Sequence, residues 1–334
     1  MIMNTYELLG EERSLIATLN DVAKLANVSK MTVSRVINHP DKVTNDLKQL
    51  VYQAMHEVDY HPNMAAKALV NNSTQIIKFC VLEDIDTTEP YYMNLMIGIA
   101  RALDAQQYSL QLVTRQNFDI GNCDGYVVTG MRKKDFDWIG NLKKPVVIFG
   151  ENRFGFDYVD TNNKAGTFMI SELAVKRGYK RLIFIGMDSH ESFEYSREAG
   201  YLQLIQENQM VSEIHRFDNH SHLSQQFIIE NWDDFGPDTC FICASDRLAL
   251  GAERGIESCG GLIPVDYGVT GFDGVFLNQV AFPRITTVKQ SIVEMGMACG
   301  EKLLNKIVNH IDKDGSLMFE PKISMGGTVR DSSK

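Results

Sequence analysis

The chain has 334 residues, of which 44% are hydrophobic and 23% charged, a composition typical of a globular protein with room for two or three cores. No apolar run approaches the ~20 residues that a membrane-spanning helix needs, and the acidic start of the chain is unlike a secretory signal, so we expect a cytoplasmic protein without a membrane partner. A net charge of −10 argues against a protein that binds nucleic acid over its whole surface.

Charge is unevenly distributed along the chain. Residues 18–74 contain six Lys and Arg against five Asp and Glu, a net charge of +1, whereas the other residues contain 27 basic and 38 acidic side chains, a net charge of −11. A near-neutral head on an acidic body fits a protein that meets DNA with one end only. Residues 1–17 lie outside this head, and we expect them to form a disordered N-terminal extension.

Residues 18–62 have the periodicity of three short helices, with a tight turn between the first two. Thr18 is a suitable N-cap for the first helix. Asn27 ends that helix because Asn tolerates the left-handed backbone of a sharp turn. Ser29 caps a second helix that runs to Asn38. These features predict a helix-turn-helix.

A third helix is predicted from after Thr44 to about Tyr60. Its inward side is expected to consist of Leu47, Leu50, Val51, Ala54, Met55 and Val58. The outer face of the second helix is short, polar and cationic, and it carries Lys30, Met31, Ser34 and Arg35. Arg is the side chain that reads the two major-groove acceptors of guanine, which favours DNA binding over the alternative of a plain helical bundle.

The stretch Thr18-Leu-Asn-Asp-Val-Ala-Lys-Leu-Ala-Asn-Val-Ser-Lys-Met-Thr-Val-Ser-Arg-Val-Ile-Asn38 closely resembles the opening signature of the lactose-repressor (LacI/GalR) family, and the likeness continues through Tyr60-His-Pro-Asn63. Asn27 departs from the glycine that is common in the family at that position. The resemblance implies a sequence-specific transcription regulator, a repressor, that binds a pseudo-palindromic double-stranded operator as a homodimer.

By the same resemblance, Lys30 and Met31 fall on the variable base-reading pair and Arg35 on a nearly fixed base contact. Plain packing is the alternative for Met31. Residues 63–74 resemble the hinge helix and linker, in which Leu69 would wedge into the minor groove; a mere linker is the alternative. The expected DNA-binding residues are Thr18, Lys30, Met31, Thr32, Ser34, Arg35, Asn38, Asn63, Ala66 and Leu69.

Residues 75–334 alternate strand-like and helix-like segments, which predicts doubly wound parallel α/β sheets. The predicted strands are Ile76–Leu82, Tyr108–Val113, Tyr126–Thr129, Pro145–Phe149, Arg181–Ile185, Cys240–Ala244 and Tyr267–Thr270. The predicted helices are Tyr91–Gln107, Lys164–Arg177, Phe193–Gln209, Ser221–Trp232, Asp246–Cys259 and Ile292–Asn309. Ligands of such sheets bind at the carboxyl ends of the strands.

The body also resembles the sensor half of the LacI/GalR family, which shares its fold with periplasmic sugar-binding proteins, in segments such as Arg197-Glu-Ala-Gly-Tyr201 and Arg284-Ile-Thr-Thr-Val-Lys-Gln290. The resemblance implies an effector-binding domain, 75–334, with lobe 1 at about 75–163 and 292–320 and lobe 2 at about 164–291 and 321–331. A small-molecule effector, expected to be a carbohydrate, would bind between the lobes. The positions that match the family's pocket are Tyr91, Tyr92, Thr129, Phe193, Arg197, Ser245, Asp246, Phe272, Asp273 and Gln290.

These side chains suit a polyol, because carboxylates accept hydrogen bonds from hydroxyls, Arg donates to ring or anionic oxygens, and aromatic rings stack on apolar sugar faces. The structural alternatives are helix packing for Tyr91 and Tyr92 and a helix cap for Asp246.

The body departs from the family in three places. The chain between Val113 and Asp124 is too short for a crossover helix, so lobe 1 is expected to be pared down or rewired. Gly150 occupies a position where many sugar binders have a carboxylate, although Glu151 is adjacent, and Ser245 replaces a common Asn. A retired pocket, with regulation by a protein partner, is therefore the alternative.

No nucleotide-binding, phosphate-loop, serine-hydrolase or zinc-protease motif is present, so no enzyme, cofactor or catalytic residue is expected. The six cysteines have no disulfide-framework spacing. Cys240 and Cys243 form a CxxC within a predicted strand, where residues three apart point to opposite faces, so no metal site is expected there.

Overall fold

The computed structural model describes residues 17–61, 73–83, 90–114 and 121–331. It divides into two compact units, a head that ends at Thr74 and a body that starts at Gln75. The predicted hinge residues Asn63, Ala66 and Leu69 and the extension 1–16 lie outside the described residues. Within the described ranges, no helix is both long enough and apolar enough to span a bilayer.

The described head consists of helices α1 (Leu19–Leu25), α2 (Lys30–Asn38) and α3 (Asn45–Glu57). The Thr18 amide and hydroxyl donate to the Asp21 carboxylate at 3.0 and 2.6 Å, which closes the first turn of α1 and lowers the pKa of Asp21. Asn27 has a φ of 49°, as the predicted sharp turn requires. The Ser29 hydroxyl accepts from the Thr32 amide at 3.0 Å, so the predicted cap of α2 is confirmed.

The core of the head is small and consists mainly of valine and alanine. Val22, Val33, Val36 and Val51 are fully buried in it. The prediction that Leu50 faces inward is wrong, because 46% of this side chain is exposed. Leu50 lies at the margin of the apolar stripe of α3, and a three-helix core is too narrow to cover that margin.

The body contains two six-stranded sheets in its described residues, with orders β11-β5-β4-β3-β1-β2 and β12-β10-β9-β8-β6-β7. The strands are β1 (Ile76–Val81), β2 (Ser109–Thr114), β3 (Gly125–Thr129), β4 (Val146–Phe149), β5 (Tyr158–Thr161), β6 (Arg181–Met187), β7 (Ile214–Phe217), β8 (Thr239–Cys243), β9 (Tyr267–Asp273), β10 (Thr286–Lys289), β11 (Leu317–Phe319) and β12 (Lys322–Ser324). Among the described pairings, β10 with β12 is antiparallel and the others are parallel.

Eight helices in the described body pack on these sheets, and we number them α4 to α11. They are α4 (Tyr91–Asp104), α5 (Phe136–Gly140), α6 (Asn163–Lys176), α7 (Ser192–Glu207), α8 (Ser221–Glu230), α9 (Asp246–Ser258), α10 (Leu277–Val280) and α11 (Ile292–Asn309). The chain passes between the sheets after β5, after β10 and between β11 and β12. Two lobes are therefore joined by neighbouring connections.

Each lobe has its own apolar core. In lobe 1, α4 and α11 cover one sheet face, and they approach so closely that a Cβ on Gly98 would lie 2.1 Å from the Val293 carbonyl oxygen. A second cluster, which includes Ile139 of α5, covers the other face. In lobe 2, the buried strand residues pack with the helices on both faces in one continuous cluster.

The six long helices predicted in the body are present, and their ends agree to within three residues. Strands β5, β7, β10, β11 and β12 were missed, because each is only three or four residues long. The shortened connection does not rewire lobe 1, because β2 and β3 still flank β1 as parallel neighbours. Residues 115–120 of that connection lie outside the described ranges.

Candidate nucleic-acid interface and ligand cleft

The outer face of α2 is polar, cationic and accessible. Lys30 and Arg35 are exposed, and neither of them forms a salt bridge among the described residues of the head. Met31 is 74% exposed, so the structure does not support the packing alternative for this side chain. The buried side of α2, which includes Val33 and Val36, anchors the helix to the core. The helix therefore presents two long cations and a thioether outward on a rigid support.

Short polar side chains flank these cations. The Thr32 and Ser29 hydroxyl oxygens lie 2.8 Å apart, and the Asn38 amide nitrogen donates to the Ser34 hydroxyl at 3.2 Å. These bonds restrict the rotamers while leaving further hydroxyl and amide groups to donate to phosphate oxygens. Thr18 lies at the start of α1, where its own hydrogen bonds close the capping box.

The predicted ligand residues of the body lie where the carboxyl ends of the two sheets face each other. Tyr91 and Tyr92 begin α4, and Thr129 ends β3, in lobe 1. Phe193 and Arg197 lie on α7, whereas Phe272 and Asp273 end β9 in lobe 2. Gln290 follows β10, where the chain returns to lobe 1. These separate segments meet in one cleft at the carboxyl ends of the strands, which is where parallel sheets bind ligands.

Arg197 is buried at the centre of the cleft. Its Nε donates to Asn163 Oδ1 at 2.9 Å and its Nη1 to the Ala244 carbonyl at 2.6 Å. Its guanidinium carbon lies 3.7 Å from the centroid of the Phe272 ring and 4.9 Å from that of Phe193. Two aromatic rings and two hydrogen bonds therefore hold this cation in one orientation.

Asp273 faces Arg197 and is held in an unusual conformation. Its φ of 117° is costly for a residue with a side chain, and such strain is frequent at binding sites. Its Oδ1 lies 3.7 Å from Arg197 Nη2 and accepts from Gln290 Nε2 at 2.8 Å. Gln290 in turn accepts from the Thr161 hydroxyl at 2.9 Å. This carboxylate is thus oriented by residues at two of the three connections between the lobes.

The sequence prediction did not include Asp160 and Asn163, which the structure brings into the cleft. The Asn163 amide nitrogen donates to Asp160 Oδ2 at 3.1 Å while its oxygen accepts from Arg197. Burial raises the pKa of Asp160 to about 6, although the amides of Glu151 and Thr161 donate to its carboxylate. Asn163 is fully buried. A polar residue at a strand-to-helix junction was the available signal for this site.

Two further carboxylates lie at the cleft mouth. Glu83 follows β1 and accepts from the Tyr92 hydroxyl at 2.5 Å and from the Thr129 hydroxyl at 3.5 Å. Glu191 immediately precedes α7, and its Oε1 lies 3.5 Å from Arg132 Nη2. Both were missed, although Glu83, like Thr129, lies at the carboxyl end of a strand, where parallel sheets bind ligands.

Glu151, next to Gly150, places a carboxylate close to the position where many sugar binders have one. The Ser196 hydroxyl of α7 donates to Glu151 Oε2 at 2.7 Å, so this bond joins lobe 1 to lobe 2. Together with the Arg132–Glu191 contact, it holds the two lobes against each other around the buried centre.

Ser245 and Asp246 are engaged by the protein itself. The Ser245 hydroxyl accepts from the Leu248 amide at 3.1 Å as the cap of α9 and also donates to Asn219 at 2.6 Å. The two oxygens of Asp246 accept from the Gly274 amide at 2.8 Å and the Thr287 hydroxyl at 2.5 Å. The N-cap of α9 is therefore Ser245 rather than Asp246, the residue for which a cap was the alternative, and Asp246 is instead a buried acceptor for Gly274 and Thr287.

Cys240 and Cys243 both lie in β8 and are buried, and burial raises the pKa of both thiols. Neutral buried thiols behave as small hydrophobic groups rather than as metal ligands. In the part of the chain that the structure describes, no three His, Cys, Asp or Glu side chains are grouped so as to hold a metal ion.

The two units match two known families of domains. Residues 18–63 match the profile described as "Bacterial regulatory proteins, lacI family", and residues 172–329 match that of a "Periplasmic binding protein-like domain". The chain is 50% identical over 309 residues to an uncharacterized HTH-type transcriptional regulator, YvdE, of Bacillus subtilis (strain 168), a match that covers 92% of this chain and 98% of that relative.

Solved structures share the whole architecture. The Lac repressor dimer bound to operator and the anti-inducer ONPF has a TM-score of 0.78 and 21% identity, with 93% of this chain and 98% of that chain covered. The complex of the transcriptional regulator CelR with cellobiose has a TM-score of 0.70 and 23% identity, with 93% of this chain and 99% of that chain covered.

Proposed function

The chain belongs to the LacI family of DNA-binding transcription regulators, and from this premise we propose that it is a repressor that binds a pseudo-palindromic operator as a homodimer under the control of a small molecule held between its lobes. Family membership confirms the resemblance drawn from the sequence and the expected fold class. It also makes the protein a regulator rather than an enzyme.

The observation that carries the proposal is the exposed face of α2. Arg35 has the length and the paired donors to reach O6 and N7 of a guanine in the major groove. We assign Lys30 and Met31 to neighbouring bases, and Thr32, Ser34 and Asn38 to the flanking phosphates. Asn63, Ala66 and Leu69, which lie outside the described residues, complete the proposed DNA-binding set with Thr18.

The test compares Arg35→Ala with the wild-type protein on an operator selected by the wild type from random duplexes. We expect a loss of about 1–3 kcal/mol, or roughly 5- to 150-fold in affinity, measured by fluorescence anisotropy at fixed salt. Arg101→Ala is the control, because Arg101 is exposed on α4 of the body and its substitution removes the same charge as Arg35→Ala. Unchanged operator affinity of Arg35→Ala would contradict the proposal.

Exposed apolar side chains on the body support a homodimer. Val280, the last residue of α10, is 58% exposed, Phe282 just after that helix is 93% exposed, and Met93 on α4 is 55% exposed. Large apolar groups that remain uncovered in a single chain are typical of surfaces that bind another protein. A second copy of this chain is the proposed occupant, because two heads are needed to read the two halves of a palindrome.

The intact cleft supports a small-molecule effector over the alternative of a retired pocket. The residues proposed to line it are Tyr91, Tyr92, Thr129, Phe193, Arg197, Phe272, Asp273 and Gln290. Their polar groups form two sets of contacts, with Tyr92 and Thr129 on Glu83 and with Gln290 and Arg197 beside Asp273. A pocket without a ligand has no reason to retain the strained backbone of Asp273. Ligand binding would alter the angle between the lobes and so the spacing of the two heads.

A further inference from the structure

The part of lobe 1 that runs from β3 through α5 and β4 to β5 is positively charged in an otherwise acidic body. Residues 131–156 contain six Lys and Arg against three Asp and Glu, a net charge of +3. The other residues of 75–334 contain 20 basic and 32 acidic side chains, a net charge of −12. A local excess of one sign attracts partners of the opposite sign.

Five of these six cations are exposed, and none of the five forms an ion pair within the described ranges; they are Lys133, Lys134, Lys143, Lys144 and Arg153. The sixth cation, Arg132, contacts Glu191 at 3.5 Å. Of the three acids, Asp135 and Glu151 already accept hydrogen bonds from the protein, whereas Asp137 is exposed. The segment thus retains a positive charge that its own acids do not neutralise.

Two exposed aromatic rings lie among these cations. The ring centroids of Phe136 on α5 and Phe154 in the loop after β4 are 5.4 Å apart, so the two segments meet at this pair. These residues are 39% and 36% exposed, whereas Phe156, whose ring lies 5.9 Å from that of Phe136, packs against the buried cluster beneath them. We call the five cations and the two exposed rings the basic patch. Exposed aromatic groups beside cations are typical of surfaces that bind other proteins.

The basic patch lies on the sheet face of lobe 1 that has the thinner cover. The connection between β2 and β3 has only ten residues, 115–124, too few for the helix that usually crosses between parallel strands. In the described residues, the helix on this face is α5, with 5 residues, whereas α4 and α11 on the opposite face have 14 and 18. The face beside α5 therefore has no second described helix over it.

We propose that the basic patch docks an acidic segment of another protein, in which apolar side chains lie between carboxylates. The partner's carboxylates would meet the four lysines and Arg153, and an apolar side chain would cover the pair formed by Phe136 and Phe154. Duplex DNA fits this surface less well, because its stacked bases offer no apolar group to two exposed rings. The inference goes beyond the proposed function, since it adds a protein partner to the regulator without using the effector cleft.

The first experiment measures the binding of labelled synthetic peptides to the full-length protein by fluorescence anisotropy. The probe is the dodecapeptide EELFEEEELFEE. One control, EEAAEEEEAAEE, keeps the charge and removes the apolar side chains, and the other, KKLFKKKKLFKK, reverses the charge. We expect the probe to bind at least about 10-fold more tightly than either control. Equal binding of a control, or no binding of the probe, would overturn the inference.

The second experiment assigns the binding to the basic patch. The double variant Lys143→Gln and Lys144→Gln should weaken binding of the probe at least about 5-fold, because two charge contacts are lost. The matched control is the double variant Lys176→Gln and Lys322→Gln, which removes two exposed charges from lobe 2 and should leave the affinity unchanged. An equal loss in both double variants would overturn the assignment, because it would indicate attraction by the overall charge.

The third experiment excludes other occupants. The affinity of Lys143→Gln with Lys144→Gln for the operator should equal that of the wild type, because the basic patch belongs to the body rather than to α2. A weaker operator affinity, or a labelled single-stranded RNA that binds the patch more tightly than the peptide, would assign the patch to nucleic acid. A lower mass in light scattering would assign it to a second copy of the chain. Either result would overturn the inference while leaving the proposed repressor function intact.

Discussion

The single substitution Glu191→Gln should make the stability of the body less dependent on pH. The pKa of Glu191 is raised from its ordinary value of 4.5 to about 7, so the native state holds a proton that the unfolded chain releases. The contribution of this group to stability is therefore fully present below pH 4.5 and is lost as the pH rises to about 7. Above that pH, an ionised Glu191 opposes the native cleft.

The size of the effect follows from that pKa difference, which corresponds to about 3 kcal/mol between the two protonation states. Water still reaches 13% of the side chain and screens part of the field, so we expect about 2 kcal/mol. Glutamine resembles the protonated acid. The free energy of unfolding of Glu191→Gln should thus nearly equal that of the wild type at pH 4 and exceed it by about 2 kcal/mol at pH 8.

Urea denaturation followed by circular dichroism at pH 4, 5, 6, 7 and 8 would measure this difference at one fixed protein concentration. The matched control is Glu207→Gln, whose exposed side chain should give no pH-dependent difference. A stability difference for Glu191→Gln that stays constant from pH 5 to pH 8 would refute the reasoning, because a purely structural effect does not follow the titration of the acid.

Three further substitutions test packing, charge and assembly. Lys306→Ala should lower the free energy of unfolding by about 3–5 kcal/mol in a denaturation curve, because it leaves the buried Asp157 carboxylate without its cation. In the wild type, the Lys306 Nζ lies 2.8 Å from that carboxylate. A loss below about 1 kcal/mol would contradict this expectation. Gly98→Ala should lower the free energy of unfolding by about 1–3 kcal/mol in the same assay, since the added Cβ meets the Val293 carbonyl oxygen and must push α4 away from α11. An unchanged denaturation midpoint would count against that close approach of the two helices. Phe282→Ser should shift the mass measured by light scattering from dimer towards monomer without unfolding the chain, because the ring is 93% exposed; an unchanged mass would exclude this residue from the interface.

The head was largely predictable because its signals are local. Ser29 as a cap and Asn27 as a left-handed turn depend on interactions within one or two helical turns. The exposure of Leu50 was not predictable in this way, since periodicity defines a stripe but not its width. The width of the buried stripe depends on how closely α1 and α2 approach α3, which is a property of the packed core.

The ligand cleft was predictable only in part. The family resemblance identified Arg197 and Asp273, and the structure brings their charged groups to 3.7 Å across 76 positions of sequence. The family resemblance did not identify Glu83, which lies after a strand, or Glu191, which precedes a helix. Many exposed acids occur at such positions. Their position in the cleft becomes evident only when the two lobes are placed face to face.

The sequence by itself determined the long helices and the longer strands of this protein, because hydrophobic period, caps and turn residues act over a few neighbouring positions. Its local signature also determined the family, and with it the expectation of a DNA-reading helix. The tertiary structure decided which polar groups became functional neighbours and which, such as Asp246, were engaged by the fold. Burial and charge depend on distances between segments that are remote in sequence, so the electrostatic character of the cleft emerges only once both lobes have packed.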